Sequence, residues 1–408
     1  MIPSSGCSLV ESKCTINRHS FSVHLGFKAQ ATASTDMKNR ITRLLDENPG
    51  LKGREIAREL ELDRKAVSSF LYKNLDTFVQ DPETFGWSLL ANTHFVLELT
   101  SSRTWLTQDH FEKILLKSGS PLDTDHSNVV IKVTDERKVL LCAAARILSL
   151  ANQLAASGKK VGLDFTNNEG TISYLDRAGF FDRLEKSVSV VPQRPSSSAA
   201  QRFMANNIGL VELLEIEALP KNDDTFDVGP SVPHRIKESF SEVFGSKNAN
   251  KLFTVAGELV GNVQEHSETA IPGFAGLQAY GRDSNQTVVL VISDSGKGIC
   301  ATLRPGLHKH FPEIAKKFEP SVEAADPKLI RHIMLHRGLS RLGKGQGAGL
   351  HASHGIAEKL DAKVTIRQEN FSVLMVYRAG TLEGSKFTLD LPKLHGTHIV
   401  FEFNLTKN

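Results

Sequence analysis

An acid, an amide and an imidazole recur at every fourth position in GELVGNVQEHS, residues 257–267: Glu258, Asn262 and His266. On a helix that spacing stacks the three side chains along one face. Val255, Leu259, Val260 and Val263 make the rest of the helix apolar. A carboxylate so placed can take a proton from an attacking water or hydroxyl. The neutral amide oxygen one turn later is a hard ligand, suited to Mg²⁺ shared with phosphate oxygens. His266 can orient a phosphate or a covering segment, or simply cap the helix before Ser267. A helix that only filled a core would have no need of such a stripe.

Three more stretches carry residues of the same kind. VVLVISDSGKGI, residues 288–299, is a β-branched run, read as a buried strand, that ends in Asp294, Gly296 and Gly298. The two glycines let backbone pass where a Cβ would obstruct. In GLSRLGKGQGAGLHASHGIAEKL, residues 338–360, Gly343, Gly345, Gly347 and Gly349 free a loop to turn its N–H groups onto an anion, and the helix from Leu350 adds its positive N-terminal end. Lys344 and Arg341 stand where charge compensation would help, or are solvated loop charges. GTHIVFEF, residues 396–403, places Thr397 ahead of an alternating strand. Gly338 to Lys344 also fits the spacing of a P-loop. That reading fails because Gly345 stands where Ser or Thr must hold Mg²⁺, and PKLIRHIMLHRG before it reads as a helix.

Asparagine on a helix, D-x-G-x-G at a strand end, G-x-G-x-G-L at a helix start and Gly-Thr before the last strand come in the order of the GHKL ATPases. The chain from about residue 210 to 404 resembles that superfamily of gyrase, histidine kinases, MutL and the anti-sigma-factor kinases. GELVGNVQEHS is similar to its N box, DSGKGI and GKGQGAGL to its two glycine boxes, and GTHIVFEF to its terminal strand. The His in the N box resembles the anti-sigma and regulatory branch most. The resemblance implies a C-terminal GHKL α/β sandwich over 206–408 that binds ATP and Mg²⁺. Glu258 would be the general base and Asn262 the magnesium ligand. Asp294 would accept from the adenine amino group with Thr397 assisting, and Gly296 and Gly298 would lie against the base. Gly343, Lys344, Gly345, Gly347, Gly349 and Leu350 would surround the phosphates. Residues 300–342, rich in Pro, Gly and charge, would be a lid that orders on binding.

Such a site needs elements to hold and use it, and the upstream sequence supplies two candidates. Residues 37–90 read as a winged helix-turn-helix. Ile41, Leu44 and Leu45 mark one helix, closed by Asn-Pro-Gly, and Ile56, Ala57 and Leu60 mark a second. Asp63 caps a third, with Val67, Phe70 and Leu71 inward and a hairpin to follow. Arg64, Lys65, Ser68, Ser69, Tyr72 and Lys73 would face DNA phosphates and base edges, or form the solvated side of a protein-docking module. VSSFLY followed by Trp87 resembles the Z-DNA-binding subgroup, although Ser68 stands where that subgroup uses asparagine.

Residues 91–191 alternate strand-like and helix-like stretches, an α/β layer. Val161 to Phe181 resembles STAS-type domains of partner-switching regulators. The turn NNEGTIS departs from their Asp-Ser-Ser-Gly, leaving only Thr171 or Ser173 as phosphoacceptors, and Asp164 reads as a turn residue or cap. PQRPSSSAAQRF breaks all periodicity, so 192–205 reads as a linker. Residues 1–36 read as a disordered leader or as translation upstream of a start at Met37. The expected class is therefore multidomain α+β.

Hydrophobic residues make up 40% of the 408 and charged residues 23%, with a formal charge of +3, so any nucleic-acid contact must be local. Cys7, Cys14, Cys142 and Cys300 form no CxxC pair, which points to a reducing, cytoplasmic setting. No apolar run reaches the roughly 18 residues that span a bilayer. His332/His336 and His351/His354 have helix-face spacing but no third metal ligand, and read as surface histidines.

The expected activity is a regulatory switch that binds and hydrolyses Mg-ATP. Its nucleotide state would control engagement of DNA or a protein partner, with ATP-dependent self-association to a homodimer. Two alternatives stand beside it: a protein serine/threonine kinase of the partner-switch type, and a regulator that binds ATP without turning it over. With neither a membrane span nor an upstream phosphoacceptor hairpin, a sensor histidine kinase is disfavoured. The short tail after the final strand disfavours a gyrase-like motor.

Overall fold

The computed structural model describes residues 36–75, 77–90, 94–100, 105–203, 209–216, 232–281, 286–339 and 349–405. The chain divides into two compact units, Met1–Thr93 and His94–Asn408.

The first unit contains α1 (36–47), β1 (Leu51–Lys52), α2 (Gly53–Glu59), α3 (Arg64–Lys73), β2 (Phe78–Gln80) and β3 (Gly86–Leu89). Its strands form an antiparallel sheet in the order β1-β3-β2. Ile41 and Leu45, Ile56 and Ala57, and Val67 and Leu71 bring one face of each helix together over Phe78 and Trp87. The Asp63 carboxylate accepts from the Ala66 N–H at 2.8 Å, a cap worth about 1 kcal/mol. Strand β1 carries no periodic signal in its two residues. It forms because the turn before it docks on β3, where a Cβ on Gly86 would lie 2.3 Å from the Gly50 oxygen.

The second unit begins with β4 (His94–Glu98), β5 (Trp105–Leu106), α4 (Gln108–Ser118), β6 (Asn128–Lys132), β7 (Lys138–Val139), α5 (Leu141–Ala156), β8 (Lys160–Asp164), α6 (Glu169–Arg177), α7 (Phe180–Arg183), β9 (Ser189–Val191) and α8 (Ala199–Phe203). Strands β4-β6-β8-β9 form a parallel sheet in that order. It continues through β10 (Leu210–Ile216), α9 (Val232–Phe244), α10 (Ser246–His266), β11 (Gly273–Tyr280), β12 (Gln286–Ser293), α11 (Gly298–His310), α12 (Pro312–Lys317), α13 (Ala325–Leu335), α14 (Gly349–Lys359), β13 (Lys363–Gln368), β14 (Phe371–Arg378), β15 (Thr381–Thr388) and β16 (Thr397–Leu405). Seven strands make one antiparallel sheet, β10-β11-β12-β16-β13-β14-β15.

At β12 that sheet is buried on both faces. Val288, Leu290 and Ile292 of β12 pack into one core with α10, α11 and α13, while Val289 and Val291 pack into another with α5. Alternation along a strand makes this division automatic. Helix α5 buries every residue from Leu141 to Leu154, because its core also contains Val129, Ile131, Val161 and Leu163 of the parallel sheet. Its few polar side chains are buried with the rest, and Arg146, Asn152 and Gln153 find partners there. The middle and C-terminal segments thus share a core. The stretch between them, read from sequence as a linker, is tied down in part. Arg194 donates to the carbonyls of Glu185 and Val188, and the Ala199 N–H donates to Asp176. Among the described residues, no helix is long and apolar enough to cross a membrane.

Candidate functional site

Helix α10 carries the Glu258–Asn262–His266 stripe. Leu252, Val255, Ala256, Leu259, Val260 and Val263 recur at helical spacing and are all buried, which sets the orientation of the stripe. Asn262 and His266 line a cavity whose other walls include Asp294, Gly298, Leu350 and Thr397, so all four stretches singled out from sequence meet in one place. Glu258 is half-buried one turn before Asn262 and is not among the lining residues. Gly349 opens α14, which puts Leu350 in the lining. Gly343, Lys344, Gly345 and Gly347, with Arg341, lie outside the described residues.

Asp294 is 6% exposed. Its Oδ1 accepts from the Gly296 N–H at 2.7 Å, and its own N–H donates to the Thr397 carbonyl at 2.9 Å. Burial pushes the carboxyl up to about 6, opposed by the N–H of Gly296 and by hydrogen bonding from Thr397. The Thr397 hydroxyl accepts from Gln368 Nε2 at 2.9 Å, while Gln368 Oε1 accepts from the Cys300 N–H at 3.4 Å. Gln368 thus ties the end of β13 to both β16 and the start of α11. Sequence reasoning missed it, because Gln before Glu-Asn reads as a solvated turn.

The glycines have a reason different from the expected one. A Cβ on Gly296 would lie 2.0 Å from the Ser267 carbonyl oxygen, and one on Gly396 would lie 2.0 Å from that of Asp294. Gly298 has φ +79° and stands against the Gln368 amide. At Gly296 the chain itself makes a close approach, which locks the end of α10 to the turn after β12, while Gly298 also lines the cavity.

The Asn262 side chain makes no hydrogen bond among the described residues, and His266 Nδ1 is buried without a partner. An unengaged amide oxygen at a cavity wall fits Mg²⁺, which takes few protein ligands and completes its shell with water and phosphate oxygens. Among the described residues, no group of three His, Cys, Asp or Glu could hold a metal by itself.

Other expectations change on inspection. His354 is a core histidine, 9% exposed, with Nδ1 2.9 Å from the Tyr377 hydroxyl. His351 Nδ1 lies 3.1 Å from the Met334 carbonyl, and His332 packs its ring 4.3 Å from that of His336. Burial, with His336 and Lys317 adding to it, pushes His332 down to about 4. Of residues 300–342, read as a lid, those up to 339 are described, and they form helices and turns whose Leu303, Leu307, Phe318, Leu329 and Ile333 belong to the core that contains α10. Thr171 is buried and donates to the Arg137 carbonyl, so it is poorly placed as a phosphoacceptor, whereas Ser173 is exposed. Asp164 accepts from the Thr166 N–H and hydroxyl, an ordinary turn role. On α3, Arg64, Lys65, Ser69, Tyr72 and Lys73 are exposed and Ser68 is half-buried. Tyr72 donates to Gln80 at 2.8 Å and meets Trp87 edge-on at 5.0 Å.

No curated protein matches this chain. Residues 247–395 match the family model described as Histidine kinase-, DNA gyrase B-, and HSP90-like ATPase, which makes the C-terminal part of this mixed α/β protein an ATPase domain of the GHKL type.

Proposed function

We propose that the protein is a Mg-ATP-dependent regulatory switch, with the nucleotide state of the pocket between α10 and β12/β16 controlling how other parts of the chain engage DNA or a protein partner. The observation that carries this reading is the convergence of Asn262, Asp294 and Thr397 on one cavity. Asp294 and Thr397 supply acceptors for an adenine amino group. Asn262 holds Mg²⁺, which when bound neutralises phosphate charge. Glu258, one turn away, takes the proton of the attacking water. The exposed Arg64, Lys65, Ser69, Tyr72 and Lys73 on α3, with half-buried Ser68, support DNA as the partner of the first unit.

A second reading, ATP binding without turnover, draws support from Glu258 standing outside the cavity lining. Incubation with γ-labelled ATP, alone and with DNA or candidate partners, separates the readings. Free phosphate marks an ATPase, labelled protein marks a kinase, and tight binding with neither marks a binding-only regulator. An absence of ATP binding would refute the proposal.

A further inference from the structure

The base end of the pocket is formed by two loops. One follows β12 and carries Asp294 and Ser295; the other precedes β16 and carries His395 and Gly396, leading into Thr397. A single side chain of the middle segment, Gln153 on α5, bonds to both. It is 3% exposed. Its Nε2 donates to the Ser295 hydroxyl at 2.9 Å and to the His395 carbonyl at 2.9 Å, and its Oε1 accepts from the His395 N–H at 3.0 Å. Both amide hydrogens and the amide oxygen are used, so this side chain is held in one orientation.

Other contacts set the general course of the second loop. Ser120 donates to the Lys393 carbonyl at 2.6 Å, and Arg367 donates to the carbonyls of Glu369 and Pro392. Arg367 is itself buried beside Glu112, at 3.4 Å. Of the two pocket loops, these contacts reach only the second, the Glu369 carbonyl belonging to the turn between β13 and β14. Gln153 bridges the loops, next in sequence to Asp294 and two residues before Thr397.

We propose that Gln153 is a positioning residue for the nucleotide pocket, setting the spacing between Asp294 and Thr397 from the far side of the sheet. The proposal rests on the reading of that pocket as an adenine-nucleotide site. Recognition groups need placement within about 0.5 Å to act together; the Asp294 N–H to Thr397 carbonyl bond joins the loops directly, and Gln153 fixes the residues that flank it on both sides. Adenine selectivity therefore depends on a residue outside residues 247–395. By linkage, displacement of α5 is felt at the base, and base binding is felt at α5.

The test uses the full chain and titrates ATP and GTP into wild type, Asp294→Asn, Gln153→Met and Ser295→Ala, with thermal unfolding recorded for each. Gln153→Met keeps the side-chain length and removes all three hydrogen bonds. It should lower ATP affinity on the order of tenfold, a small number of net hydrogen bonds, with GTP affinity little changed. Ser295→Ala removes one bond and should lower ATP affinity about threefold; it carries the test if Gln153→Met does not fold. A role confined to stability would lower the unfolding temperature and weaken both nucleotides equally, and that result overturns the proposal. So does wild-type ATP selectivity in folded Gln153→Met; the pocket reading then survives if Asp294→Asn still loses selectivity. Wild type that fails to prefer ATP over GTP refutes the pocket reading and the proposal together.

Discussion

The two ends of the pocket are built differently. At the base end, Asp294, Gln368 and Thr397 are buried and bonded to one another or to adjacent backbone. On the helix side, the Asn262 side chain has no partner among the described residues, His266 Nδ1 is buried without one, and Glu258 is only half-buried. One end is completed by the fold and the other is left for whatever binds. Substitutions at the base end should therefore act through structure and selectivity, whereas those on the helix should act through chemistry with the fold intact.

The largest effect should fall on turnover. Glu258→Ala should retain ATP binding and lose hydrolysis by about 10²- to 10⁴-fold, the usual contribution of a positioned base. ATP affinity and single-turnover hydrolysis measured on one preparation check this. Unchanged hydrolysis would remove the general-base role and leave the binding-only reading ahead.

Next in size is Gly296→Ala, whose new methyl would stand 2.0 Å from the Ser267 oxygen. Backbone cannot yield as a flexible side chain can, so the cost should reach about 3 kcal/mol, the upper part of the overpacking range. Denaturant unfolding measures it. A neutral result would show that the end of α10 and the turn after β12 are not locked together.

Asp294→Asn should weaken ATP by about 10- to 100-fold, as for loss of a hydrogen bond to a charged group, with GTP spared. Protonation should act in the same direction on wild type. Burial raises the Asp294 carboxyl from 3.8 to about 6, so ATP affinity should fall as pH drops through 6, by at most about tenfold per unit, and the Asn variant should lose that slope. The stability contribution of this group runs the opposite way. The folded state holds the proton more tightly than the unfolded one, so the contribution is fully present below about pH 4 and lost as pH rises through 6. Parallel rather than opposed pH trends, with the Asn variant as reference, would break the assignment.

The smallest effect should be a gain. Gly257 lies within α10, and a Cβ there meets nothing within 4 Å. Gly257→Ala should stabilise the protein by about 0.5–1 kcal/mol through helix propensity, read as a shift in unfolding midpoint at unchanged ATP affinity. A loss of affinity would show that the helix side of the pocket needs the missing methyl.

Much of the site was legible because its parts are local. Asn262 shares a helix face with Glu258 and His266, and Asp294 ends a strand whose β-branched run is unmistakable. The gaps have a physical cause. Gln153 is 142 residues from Ser295 and 242 from His395, and Gln368 is 29 from Thr397. No periodicity connects such pairs, and a buried glutamine looks like a surface one until the strands are paired. His354 was misread for the same reason: only the packing of α14 against β14 makes it a core residue.

By itself the sequence determined what depends on near neighbours. That includes the helices and strands set by apolar periodicity, the Asp63 cap, the polar stripe on α10 and the ordered boxes that resemble a GHKL ATPase. Tertiary structure decided what depends on distant pairs: one core shared by the parallel sheet, α5 and the seven-stranded sheet; glycines conserving space for the chain's own backbone; and Gln153 reaching two loops of the pocket. Local propensity acts over a few residues, whereas burial and hydrogen bonding act on whatever the fold brings within about 3–4 Å.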